Sequence, residues 1–311
     1  MGKIIAEPRE EPLADVAPNN WVDALAPRAW RPYLRLMRAD RPIGTWLLLW
    51  PCWWSLALAT KNGQWPDPYM MLLFAAGAFV MRGAGCTLND IVDRDLDAAV
   101  ARTRNRPIAS GRVGLKSAVA FFLLLSFGGL AILLQFNSFT VLLGISSLGL
   151  VAIYPFMKRL THWPQFILGL TFNWGALMGW AAVQGELALP ALVLYAGAIF
   201  WTLGYDTVYA LQDMEDDALV GIKSTALLFK ENSKRWIGAF YLLAVLGFIL
   251  SGYAGGLGAI FYAGAGLLLL QFGWQLRTLD GSQSTVCLRV FRSNAYAGWI
   301  VFLAIVLGKQ L

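Results

Sequence analysis

Histidine and cysteine are nearly missing from this chain. The single histidine, His162, lies in a short basic turn, and the three cysteines, Cys52, Cys86 and Cys287, show no C-x-x-C spacing. A disulfide framework and a zinc site are thereby excluded, and the cysteines read as small buried hydrophobes. Charge is scarce as well: 14% of the 311 residues are charged against 58% hydrophobic, and the mean hydropathy is +0.55. That balance excludes a soluble α/β enzyme and indicates a multi-spanning membrane protein. No series of roughly ten-residue alternating segments occurs, so a membrane barrel is excluded too. Residues 1–20 mix Glu, Pro, Asp and Asn without an apolar core, which rules out a secretory signal.

What is present is apolar sequence in long runs. Segments able to cross a bilayer fall near 43–60, 69–88, 116–136, 139–157, 163–183, 190–208, 234–254, 258–276 and 292–308. The expected fold is therefore an all-α transmembrane bundle of about nine helices, covering residues 42–311 as one domain. Residues 1–41 are expected to form a polar tail followed by an amphipathic interfacial lead-in, where Trp30, Tyr33 and Leu34 alternate with Arg28, Arg31 and Arg35. Membrane lipid is thus an expected partner, and nucleic acid is not. Basic residues are strongly lopsided: all but Lys61, Lys309 and Arg82 of the 25 lysines and arginines fall on one side of the nine spans. The positive-inside rule makes that side cytoplasmic and places the amino terminus there, in a bacterial inner membrane.

The few acids are concentrated. Nine of nineteen lie in two clusters, both at helix ends on the basic side. In the first, Asn89, Asp93 and Asp97 recur every fourth residue, with Asp90 beside them, so one helical face carries several carboxylates. In the second, Asp206, Asp213 and Asp217 share a face with Tyr209. Two carboxylates about 4 Å apart repel by roughly 4 kcal/mol at an effective dielectric near 20, so such faces call for cations. Carboxylates followed by arginines and lysines describe a site for Mg²⁺ bridging the oxygens of a diphosphate, with Arg41, Arg102, Arg106, Lys158 and Lys223 as the basic candidates.

Several stretches together resemble the UbiA-type intramembrane prenyltransferases: R-A-D-R-P-I-G-T-W-L-L-L-W-P (38–51), R-G-A-G-C-T-L-N-D-I-V-D-R-D-L-D (82–97), R-T-R-N-R-P-I-A-S-G (102–111), Y-P-F-M-K-R (154–159) and Y-D-T-V-Y-A-L-Q-D-M-E-D-D-A-L-V-G-I-K-S-T-A (205–226). The resemblance implies that Asn89, Asp90, Asp93, Asp97, Asp213 and Asp217 hold Mg²⁺. It implies loss of diphosphate from a polyprenyl diphosphate and attack on the resulting carbocation by the ring of 4-hydroxybenzoate, ortho to the phenol, as in ubiquinone biosynthesis. Asp93, Asp206, Asp213, Asp217, Tyr154 and Tyr209 are the expected catalytic groups, offering negative or π-rich surface to the cation. Met214 and Phe229-Lys230-Glu231-Asn232 depart from the family's pattern. Within the family a naphthoate, haem or chlorophyllide acceptor stays open. An ion transporter would place its acids near the midplane rather than at helix ends.

Arg82 is the one basic residue inside a span. At 2.5 to 3.5 kcal/mol on insertion scales, its burial calls for compensation. It lies seven and eleven residues before Asn89 and Asp93, on the same helical face and about 10 Å deeper at 1.5 Å per residue. A guanidinium there suits the carboxylate of an aromatic acceptor, while a salt bridge to an acid of its own helix is the structural alternative.

Overall fold

The computed structural model describes residues 20–100, 103–219 and 221–310, and every regular element among them is helical. Eight helices or helix pairs are long and apolar enough to span a membrane: Pro68–Val92, Leu115–Leu133, Ser138–Leu160, Pro164–Gln184, Leu189–Asp213, Thr225–Ala254, Ala259–Thr278 and Ser284–Gln310. The 17-residue apolar helix Ile43–Ala59 makes the ninth expected segment. Local chemistry sets the starts. Asn137 accepts from the Thr140 amide at 2.9 Å to cap its helix, and Pro164 and Pro190 occupy first-turn positions where no amide is needed.

Two boundaries run beyond the apolar sequence. The last span begins with Ser284–Arg292, where Cys287, Val290 and Phe291 are buried while Arg289 and Arg292 lie in its last turn. Amphipathic turns of this kind average to low hydropathy, so an apolar-run criterion starts the helix too late. The seventh span likewise gains Thr225–Phe229 and a 3₁₀ turn, Lys230–Asn232, ahead of Ser233–Ala254.

The chain forms two compact units. One comprises the segment up to Pro42 together with Gly83–Leu123. In it, the wholly buried Leu36 packs with Val113 and Ala118, edged by Tyr33, Ile91, Ile108 and Phe121. The lead-in is pinned within this unit by Trp21 Nε1 donating to Ala39 O at 2.8 Å and by the Arg35–Asp23 pair at 2.7 Å. Trp21, Leu25 and Trp30 remain exposed, as an interfacial segment requires.

The other unit comprises Ile43–Arg82 and the chain from Leu124 onward. Here small residues let helices touch. A Cβ on Gly179 would stand 2.8 Å from the Leu56 amide nitrogen, so Gly175–Gln184 and Ile43–Ala59 meet backbone to backbone. Buried polar groups find partners across the bundle: Trp54 Nε1 donates to Gly298 O at 2.9 Å, Trp201 Nε1 to Asn294 Oδ1 at 2.9 Å, and Tyr241 OH to Gln275 Oε1 at 2.7 Å. At one end of this unit Gly63 N donates to Lys309 O at 2.8 Å, and Gly258 N to Gly308 O at 2.9 Å. At its other end lie the basic loops, tied by Lys223 N to Lys158 O at 2.8 Å and by Lys234 Nζ to Leu279 O at 3.3 Å.

Candidate active site

The helix Pro68–Val92, of which Gly83–Val92 belongs to the first unit, gives way at Asp93 (φ −96°, ψ 5°) to the short helix Arg94–Ala99. The turn nevertheless continues, with Asp93 N on Asn89 O at 2.9 Å and Asp97 N on Asp93 O at 2.8 Å, so the four-residue spacing survives the break. Asp90, Asp93 and Asp97 are buried, whereas Asp95 points to solvent and pairs with Arg94 at 3.3 Å. Burying carboxylates costs several kcal/mol each unless they are paired. Two arginines supply pairing: Arg38 Nη2 meets Asp90 Oδ1 at 2.7 Å, and Arg106 Nη1 lies 2.9 Å from both Asp97 oxygens and 3.3 Å from Asp90 Oδ1. Burial pushes the Asp97 carboxyl above the ordinary range, although Arg106 pulls it down.

Arg38 holds a left-handed backbone at φ +62°, steadied by its own Nη1 on Arg35 O at 3.0 Å. A non-glycine residue in that region costs of order 1 kcal/mol and is characteristic of functional sites. Sequence reading placed Arg38 in a motif but gave it no role; the alternating charges of R-A-D-R were the available signal. Arg41 grips Asp40 through Nε and Nη2, at 3.1 and 3.2 Å. Arg102 lies outside the described residues.

Among the described residues no three Asp, Glu, His or Cys side chains converge as metal ligands. In the first motif a guanidinium stands between carboxylates instead. The donor set still fits a hard divalent cation, being made of carboxylate oxygens, and Asp90 Oδ2 is buried without a hydrogen-bond partner.

In the second unit the helix Leu189–Ala210 carries Tyr205, Asp206 and Tyr209, then tightens into the 3₁₀ turn Leu211–Asp213 before Met214–Leu219. The single α-helical face expected for Asp206, Asp213 and Asp217 is therefore interrupted. Residues three apart eclipse in a 3₁₀ turn, which turns Leu211 and Met214 together onto the core. Met214, one of the residues expected to be unusual, thus lies against the core. The Tyr209 ring packs on Phe291 with centroids 4.7 Å apart, and Tyr154 is half-buried.

After Asp217 the chain turns at Gly221 (φ +74°) and is strapped down by Thr225 N on Gln165 Oε1 at 3.1 Å and by the Thr207 and Thr225 hydroxyls at 2.7 Å. This strap brings Lys223 beside Lys158. The Lys223 ammonium donates to Leu160 O at 3.3 Å, at the carbonyl end of the helix Leu148–Leu160, where cations are favoured.

Arg82 lies over the Phe172 ring at 5.4 Å, with its Nε buried and without a hydrogen-bond partner. Phe172 in turn packs against the core cluster that holds Trp201 and Tyr205. No ion pair involves Arg82 among the described residues, so the salt bridge within its own helix is not formed. Phe172 lies in the stretch P-Q-F-I-L-G-L-T-F-N-W-G (164–175) that resembles the family, but sequence reading assigned it no role, because one aromatic among several in an apolar run carries no signal of its own.

A polytopic all-helical membrane protein with one buried and one half-buried acidic motif, each accompanied by basic side chains, is the class these features define. The chain matches the UbiA prenyltransferase family over residues 48–306 and belongs to it. It is 53% identical over 280 residues to the mitochondrial 4-hydroxybenzoate polyprenyltransferase of Aedes aegypti, covering 89% of this chain and 63% of that protein. The Arabidopsis thaliana protein of the same name is 49% identical, covering 94% of this chain and 72% of the relative, and that of Caenorhabditis elegans is 46% identical, covering 99% and 86%. Among solved structures, the apo UbiA homolog from Aeropyrum pernix K1 matches with a TM-score of 0.70 at 25% identity, covering 84% of this chain and 97% of that one. The Archaeoglobus fulgidus homolog bound to GPP and Mg²⁺ shares the fold, with a TM-score of 0.67 at 16% identity, covering 89% and 99%. These relatives correct one expectation: proteins about half identical to this chain are named mitochondrial, which overturns the placement in a bacterial inner membrane.

Proposed function

We propose that this protein transfers a polyprenyl group from a polyprenyl diphosphate to the ring carbon ortho to the phenol of 4-hydroxybenzoate, with Mg²⁺ as cofactor. The observation that carries the reading is the name shared by relatives 46 to 53% identical to the chain. The allylic carbon–oxygen bond breaks with both electrons going to the diphosphate. The ring carbon then forms the new carbon–carbon bond, and its proton is lost to restore aromaticity.

Asn89, Asp90, Asp93 and Asp97 in one motif, and Asp213 and Asp217 in the other, are the oxygen donors assigned to the metal. When bound, Mg²⁺ neutralises charge building on the leaving diphosphate. Arg41 and Arg106 of the first unit, and Lys158 and Lys223 of the second, are the basic side chains suited to a diphosphate, with Arg102 as a further candidate. Asp206, Tyr154 and Tyr209 offer negative and π-rich surface to the allylic cation. Arg82 takes the carboxylate of the aromatic acid: its Nε is buried without a hydrogen-bond partner among the described residues, and its guanidinium carbon lies 5.4 Å from the Phe172 ring centroid.

Purified protein in nanodiscs, given prenyl diphosphates and a panel of aromatic acids with Mg²⁺ or EDTA, tests this by mass spectrometry of the products. Prenylated 4-hydroxybenzoate that disappears with EDTA is expected. A prenylated naphthoate in its place, or product formed equally in EDTA, would overturn the acceptor or the metal.

A further inference from the structure

A buried polar chain in the second unit leads toward Arg82 and is not used by the chemistry above. Asn173 sits where the helix Pro164–Phe172 breaks before Gly175–Gln184, and it follows directly the phenylalanine on which Arg82 rests. It is wholly buried; its amide nitrogen donates to Gly169 O at 2.8 Å and to Thr202 Oγ1 at 2.7 Å. Thr202, also wholly buried, donates its hydroxyl hydrogen bond to the Tyr205 phenol oxygen at 3.1 Å. An amide nitrogen only donates, and a hydroxyl has a single proton. The chain therefore runs from Asn173 to Tyr205, and the phenol's own proton has no recipient among the described residues.

Two groups are left open, this proton and Asn173 Oδ1, which is buried without a partner. A polar network that served packing alone would be closed, since each open group costs about 1 to 3 kcal/mol. The Tyr205 ring cannot swing away: Trp201 lies edge-on at 4.9 Å and Phe291 at 5.9 Å. Tyr205 immediately precedes Asp206, and the core cluster that holds Tyr205 and Trp201 packs against Phe172, the ring beneath Arg82.

We infer that Tyr205 is a second reader of the aromatic acid, donating its phenol proton to the carboxylate that Arg82 attracts, and that Asn173 and Thr202 are positioning residues that aim it. The inference rests on the acceptor reading of Arg82. It adds a source of specificity. A carboxylate offers oxygens to both donors, whereas a carboxamide turns an NH₂ group toward one of them.

The test uses Tyr205→Phe, Thr202→Val, the double variant and Arg82→Ala in nanodiscs. The readouts are KM for 4-hydroxybenzoate, KM for the prenyl diphosphate, and inhibition by 4-hydroxybenzamide. Tyr205→Phe is expected to raise the 4-hydroxybenzoate KM about tenfold, the loss of one hydrogen bond to an ion, with the prenyl diphosphate KM within about twofold. The preference for carboxylate over carboxamide should narrow by a similar factor. Thr202→Val should move the same quantities less, and the double variant should match Tyr205→Phe, because Thr202 acts through the phenol. Equal rises in both KM values, or additive effects in the double variant, would make the chain a packing device and refute the inference. If Arg82→Ala raises the acceptor KM while Tyr205→Phe does not, the phenol's role falls and Arg82 stands. An acceptor KM unmoved by Arg82→Ala brings down both.

Discussion

Gly44→Ala is the most discriminating single change, because it moves the Arg82 guanidinium without altering its charge. Gly44 lies one residue into the helix Ile43–Ala59, and a Cβ built there would stand 2.7 Å from Arg82 Nη2 and 2.8 Å from Cζ. Arg82 Nε is nearer still and ordinary contact begins at 3.4 Å, so the guanidinium must retreat by about 1 Å, which the end of a long side chain can do. The stability terms nearly cancel: the helix gains up to about 1 kcal/mol from alanine, while loosening the contact with Phe172 forfeits about 0.5 to 1 kcal/mol. Function should be less forgiving. A misplacement near 1 Å can cost up to about a hundredfold, so a rise of about tenfold in the 4-hydroxybenzoate KM is expected. The melting midpoint and the prenyl diphosphate KM should hardly move. Steady-state kinetics with each substrate varied in turn, alongside thermal unfolding in the same nanodiscs, reads all three. Unchanged acceptor kinetics would show that the guanidinium's position does not matter, and the acceptor site would have to be sought elsewhere.

Three further outcomes follow from the same geometry. Asp93→Asn and Asp213→Asn should each abolish most turnover while the protein still inserts, measured as rate at saturating Mg²⁺; near-normal rates would make the acidic motifs ordinary solvated helix ends. Gly179→Leu should destabilise by about 3 kcal/mol or more, seen as a lowered melting midpoint in detergent, since the Leu56 amide 2.8 Å away and Ser55 Cβ 3.0 Å away cannot yield as a side-chain tip can. Cysteines at the exposed positions Glu231 and Ser282 should react with an impermeant thiol reagent from the face of the membrane opposite to that which labels Asn62→Cys, and labelling of all three from one face would refute the nine-span arrangement.

The nine spans were legible because a lipid-facing helix must be apolar over its whole length, a constraint that local sequence displays directly. The acids were legible as well, since charge is scarce and theirs is clustered. Partnership was not. That Arg106 bridges Asp90 and Asp97, or that Arg38 from the segment before the first span closes on Asp90, depends on tertiary approach across many residues, with no local pattern to announce it. The break at Asn173 was hidden for a related reason: Trp174 and Gly175 read as smoothly apolar, and only the back-bond from the Asn173 amide to Gly169 O shows where the ladder is interrupted. The 3₁₀ turn at Leu211–Asp213 likewise reflects core packing of Leu211 and Met214 rather than any helix-breaking residue.

The stitching of Gly63 to Lys309 and of Gly258 to Gly308 sets a timetable for synthesis. The loop after the first span is made early, yet its partner emerges almost 250 residues later. Until then the amide of Gly63 must satisfy itself with water or headgroups, and the first helices wait in the bilayer without the last one. Closure of this end is therefore a late event of high contact order. Changes near residues 308–310 should show first as slow or incomplete docking of the helix Asn294–Gln310.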